Sequence, residues 1–107
     1  MIVLGVDPGT AITGVGIIEE VDDQTLKVLD CGAIRTSSTI ADWDRLQILY
    51  KRIQEIILLH QPDCGAVEKL YFQQNVTNAL SVGQARGVIL LAMAQNGLQV
   101  SEYSPLE

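Results

Sequence analysis

The chain opens on an apolar run, Ile2-Val3-Leu4-Gly5-Val6, that ends abruptly on Asp7 and turns at Pro8-Gly9-Thr10. A short apolar run bounded by a turn predicts a buried strand, here delivering one carboxylate to the end of a sheet. Thr13 to Val21 reads as a second strand, with Gly14 and Gly16 two apart on one face, where a neighbour can approach the backbone closely. Asp22-Asp23-Gln24 is a polar hairpin connection, and Thr25 to Ile34 alternates as a third strand. Such short connections predict an antiparallel meander.

Beyond Ser37 the period changes. Thr39-Ile40-Ala41-Asp42 has capping-box spacing, and Trp43, Leu46, Leu49, Ile53, Ile56, Ile57 and His60 recur at helical intervals. That stripe predicts a helix packed on the sheet and stopped by Pro62. Cys64-Gly65-Ala66-Val67-Glu68 repeats the opening logic, a small-and-apolar strand ending on an acid, followed by a loop from Lys69 to Gln74. Asn75 or Thr77 caps a second long helix, Asn96-Gly97 terminates it, and Leu98 to Tyr103 forms a fifth strand. Three meander strands followed by helix, strand, helix, strand imply one α/β domain over residues 1–107. The order fits a ribonuclease H-like mixed five-stranded sheet, 3-2-1-4-5, with strand 2 antiparallel. Strands 1 and 4 are neighbours in that order, which brings Asp7 and Glu68 together.

Composition narrows the class. A chain of 107 residues, nearly half of them hydrophobic, suits a single globular core. Its longest apolar stretch, Gly87 to Ala94, falls well short of the ~20 residues a membrane helix needs. The start lacks the basic region of a signal peptide, so the expected location is cytoplasmic, away from membranes. Cys31 and Cys64 lie in apolar strands without metal-ligand spacing and are expected to be buried, reduced thiols. The net charge of −6 argues against nucleic acid, whose binders usually carry a basic surface.

The two strand-end acids argue the other way. Adjacent carboxylates repel, and one takes up a proton unless a cation compensates. Oxygen donors without His or Cys close in sequence suit Mg²⁺, with Mn²⁺ as substitute, better than zinc. Two such ions can clamp a phosphodiester for hydrolysis. The plainer alternative is that Asp7 opens a turn and Glu68 ends a strand.

Residue identity sharpens the choice. Leu4-Gly5-Val6-Asp7-Pro8-Gly9, Thr13-Gly14-Val15-Gly16, Ala66-Val67-Glu68, Asn75, Ala79-Leu80, Gly83-Gln84-Ala85-Arg86-Gly87 and Glu102 to Glu107 together resemble the RuvC family of Holliday-junction resolvases along nearly the whole chain. The resemblance implies a dimeric, Mg²⁺-dependent endonuclease that nicks opposed strands of four-way junction DNA in recombination and repair, alongside a branch-migration helicase complex. Asp7 and Glu68 match two of its catalytic and metal-binding carboxylates. The family continues past this point through a basic loop and a last helix that supplies two further ligands. The chain therefore reads as an N-terminal piece, truncated before that helix and expected to show little or no cleavage. Loss of the basic loop also accounts for part of the acidic balance, and DNA binding is expected to be weak and salt-sensitive.

Other residues fall around this pair. Tyr71 matches an aromatic used near the junction's unpaired bases, where stacking is worth ~1–3 kcal/mol per base, whereas Phe72 packs its loop. Lys69, Arg86 and Arg35 are the candidates for phosphate contact, with solvated surface charge as the plain alternative. Ala79, Gly83 and Gly87 form a small-residue stripe on the second helix, suited to a homodimer contact or to close intrachain packing. Lys51-Arg52 reads as a solvated face, and His60 as a favourable charge at a helix C-terminus. Two other functions compete: a non-catalytic, junction-binding or dimerising relative, and the phosphate-binding lobe of an actin-like ATPase, which needs much more chain.

Overall fold

The computed structural model describes residues 1–9, 11–68 and 76–103, the last with backbone only at 76–78 and 103. Five strands and two helices follow in the order β1 (Ile2–Asp7), β2 (Ile12–Asp22), β3 (Thr25–Arg35), α1 (Asp42–His60), β4 (Cys64–Glu68), α2 (Val76–Gln95) and β5 (Gln99–Tyr103). They build one five-stranded sheet in the order β3-β2-β1-β4-β5. β2 runs antiparallel to both β1 and β3, whereas β4 is parallel to β1 and to β5. The mixed sheet inferred from element order is therefore the one observed.

Strand alternation sorts the side chains onto two different faces. Leu4 and Val6 of β1, Ile17 of β2, Ile34 of β3 and Val67 of β4 are buried against Leu49, Ile53 and Ile57 of α1 and Ala85, Ile89, Ala92 and Met93 of α2. Gly65 belongs to this face: a Cβ there would lie 2.5 Å from Met93 Sδ, so the end of that buried methionine packs directly over the glycine. The opposite face carries Val3, Gly5, Asp7, Gly14, Gly16, Ala66 and Glu68, none of them fully buried. A Cβ placed on Gly16 would meet nothing within 4 Å. Among the described residues both helices lie on one side.

The helix ends follow local chemistry, with one departure at the start. α1 ends at Gln61, a left-handed residue whose N–H donates to Ile57 O at 2.9 Å, with Pro62 next. Gly97 takes φ 72° beyond α2, and Leu98 N–H donates back to Met93 O at 3.0 Å. At the other end of α1, Thr39 does not cap. Ala41 is the N-cap without a side-chain bond, while Thr39 Oγ1 is engaged by Ser37 Oγ at 2.6 Å. Asp42 and Asp44 in the first turn favour the helix dipole instead.

Two core expectations are corrected. Trp43 is 74% exposed, because at 3.6 residues per turn it lies about 120° around the helix from Leu49. Cys31 is exposed and Cys64 only half-buried, both as free thiols. Their strand parity puts them on the face without helices. β3 is an edge strand and keeps only Ile34 buried, so its alternation reflects pleating more than burial.

Candidate functional site

β1 and β4 run side by side from the Val3–Cys64 rung to the Val6–Val67 rung, and each continues one residue further into an acid. Asp7 and Glu68 thus emerge together at the same end of the sheet, on the face opposite the two described helices. Each is held from outside: Asp7 is in register with Gly14 of β2, and Glu68 with Tyr103 of β5. A Cβ on Gly14 would meet the Asp7 Cβ at 3.7 Å, an ordinary contact, so packing alone does not demand glycine there. The close approach anticipated for the Gly14–Gly16 pair is not seen among the described residues, since a Cβ on Gly16 would meet nothing within 4 Å.

The carboxyl groups are in direct contact. Protonated Glu68 hydrogen-bonds Asp7, which pushes Glu68 up from 4.5 to about 7, with burial and the Asp7 charge acting in the same direction. Glu68 thus keeps its proton to higher pH than a free carboxyl, and a divalent cation beside the two acids can replace that proton. All the donors are oxygens, which suits a hard cation. Among the described residues no cluster of three or more His, Cys, Asp or Glu side chains forms a metal site. The pair fits part of a cation site.

The remaining candidates are placed unevenly. Arg35 ends β3, exposed and in register with Ile12, at the same end of the sheet as Asp7. Arg86 faces the helix side, where Nη2 lies 2.5 Å from Glu102 Oε1. Lys69, Tyr71, Phe72 and Asn75, and the side chain of Thr77, lie outside the described residues, as do Thr10 and 104–107. His60 sits away from the acids, with Nε2 3.4 Å from Asp30 Oδ2. Arg52 is exposed and 3.8 Å from Glu55, as a solvated face requires. On α2, Ala79 and Gly83 are half-buried and Gly87 is exposed, and a Cβ on Gly87 would meet nothing within 4 Å. Intrachain packing therefore does not require that glycine. Glu102 was missed as a partner for Arg86. The signal was parity, since it shares a face with Val100 and hence with α2.

A family model described as crossover junction endodeoxyribonuclease RuvC matches residues 3–107. The chain belongs to this family. It is 50% identical over 107 residues to the crossover junction endodeoxyribonuclease RuvC of Pelotomaculum thermopropionicum, covering 100% of this chain and 65% of that protein. Identity to the RuvC of Roseiflexus sp. is 46% over 104 residues, or 97% of this chain and 61% of the relative. The chain thus spans less than two thirds of the length of these curated relatives. Among solved structures, T. thermophilus RuvC in complex with Holliday junction substrate superimposes with a TM-score of 0.90 at 27% identity, covering 99% of this chain and 66% of that one. The RuvC assignment and the ribonuclease H-like sheet agree. No helix among the described residues is long and apolar enough to cross a membrane.

Proposed function

We propose that this chain is the carboxylate-bearing part of a RuvC-type nuclease acting on four-way DNA junctions. The observation that carries the reading is the contact between Asp7 and Glu68 at the end of two adjacent parallel strands. A cation held there, Mg²⁺ or Mn²⁺, supplies electrostatic stabilisation of charge on a phosphodiester and lowers the pKa of water. The chain's own contribution is positional. β1 and β4 fix two carboxylates on one face, and the helices pack against the sheet from behind. Two carboxylates hold Mg²⁺ only weakly, because that ion keeps its waters and demands near-octahedral oxygens. Cleavage by these 107 residues alone is accordingly slight.

Lys69, Tyr71 and Arg35 are the proposed DNA contacts. Arg35 is supported by its exposed place at the acid-bearing end. The Ala79-Gly83-Gly87 stripe, with exposed Leu80 and Leu91 beside it, is the proposed homodimer face. A symmetric pair of sites matches a substrate cut on two strands. A branch-migration helicase complex and a cytoplasmic setting belong to the same proposal by family resemblance.

The test is a titration of labelled four-way junction against linear duplex of the same sequence, at low salt with Mg²⁺. The expected result is at least about tenfold preference for the junction, lost steeply as salt rises. Equal affinity for both DNAs refutes junction recognition. Nicking above background by the 107-residue chain, abolished by Asp7→Asn, shows that the pair suffices for catalysis.

A further inference from the structure

Arg86 was a candidate for phosphate contact, and its surroundings suit another task. Its side chain is only 18% exposed, and its guanidinium meets Glu102, 44% exposed, at 2.5 Å. The Nε atom is buried without a hydrogen-bond partner. A guanidinium cannot discard its charge by losing a proton, so one this enclosed depends on its carboxylate. Phosphate recognition needs the planar fork presented outward. Here Nη2 points at β5.

The location of Glu102 gives the pair its consequence. The registered ladder between β1 and β4 runs as far as the Val6–Val67 rung, and Glu68 follows directly on it. On the side away from β1, Glu68 is in register with Tyr103 of β5, and Glu102 is the residue before Tyr103, opposite Val67. The end of β5 therefore flanks Glu68 on the side opposite β1, and Arg86 ties that end to α2. We propose that Arg86 is a positioning residue for the carboxylate pair: through Glu102 and the Glu68–Tyr103 rung it holds Glu68 within reach of Asp7. This deepens the metal-site reading and rests on it for its metal readout alone.

The test uses the 107-residue chain and its variants Arg86→Gln, Arg86→Lys, Glu102→Gln and the swap Arg86→Glu with Glu102→Arg. Amide hydrogen exchange is followed at residues 66–68 and 101–103, with Leu4 and Val6 as internal references. Mn²⁺ affinity is read by electron paramagnetic resonance. In Arg86→Gln and Glu102→Gln, exchange at the β4–β5 ends is expected to rise about tenfold relative to the references. Mn²⁺ affinity falls about three- to tenfold in both, and the swap restores most of each loss. Arg86→Lys keeps the charge and the fold, and falls between. Uniform exchange across sheet and references, with Mn²⁺ affinity unchanged, overturns the proposal in favour of general stabilisation. Normal exchange with weakened junction binding overturns it in favour of phosphate contact. If the parent chain binds Mn²⁺ no better than Glu68→Gln, the metal reading fails, and the exchange pattern still decides the positioning role.

Discussion

Asp7 and Glu68 end two neighbouring parallel strands, and the nearness of Asp7 raises Glu68 to about 7, although the two residues share no rung of the registered ladder. Their interaction runs between side chains, and it makes Glu68 hold its proton to higher pH than a free carboxyl.

The pair's protonation should be visible directly. Glu68 is expected to titrate near 7 in carboxyl NMR of the metal-free chain, and Asp7→Asn should bring it back toward 4.5. The linkage sign follows from a folded value above the unfolded one. The contribution of Glu68 to stability is full below about pH 4.5 and is lost as pH rises through about 7. Thermal melts of the metal-free chain should therefore fall over that window. Glu68→Gln should flatten the dependence and melt higher than the parent at pH 8, since its amide still donates to Asp7. A parent curve as flat as the variant's counts against the retained proton.

Gly65 and Gly16 are both strand glycines, and they should respond oppositely to alanine. At Gly65 the new methyl meets Met93 Sδ 2.5 Å away, and a displaced core side chain typically costs ~1–3 kcal/mol. Gly16→Ala meets nothing within 4 Å and should be neutral or stabilising by ~0.5–1 kcal/mol. Urea denaturation of the two variants makes the comparison, and equal midpoints would contradict the packing described for α2.

Gly87 separates fold from assembly. With open space around it, Gly87→Ala should stabilise the isolated chain by ~1 kcal/mol through helix propensity. If the stripe is a dimer face, the same methyl should weaken self-association in sedimentation velocity. A gain in stability with association untouched would remove Gly87 from that face.

How much of this was legible in the sequence varied by element. Asp7 and Glu68 stood out because an acid ending an apolar strand is costly to place anywhere but an open sheet end. Their adjacency followed from element order, which fixes neighbours without side-chain detail. Trp43 was misplaced because a seven-residue periodic stripe spans more of the helix circumference than the sheet can cover. Cys31 was misplaced because an apolar edge strand looks like a central one until the sheet's coverage is known. The Arg86–Glu102 pair was legible only through the parity of β5, since its partners are 16 positions apart.

Because the helices roof only one side of the sheet, the strands divide their residues between two kinds of selection. In β1 the even positions, Leu4 and Val6, decide how long the chain stays folded. The odd ones, Val3, Gly5 and Asp7, decide what the folded chain can meet. Substitutions one residue apart should thus be filtered by unrelated demands: one set by persistence, the other by encounter.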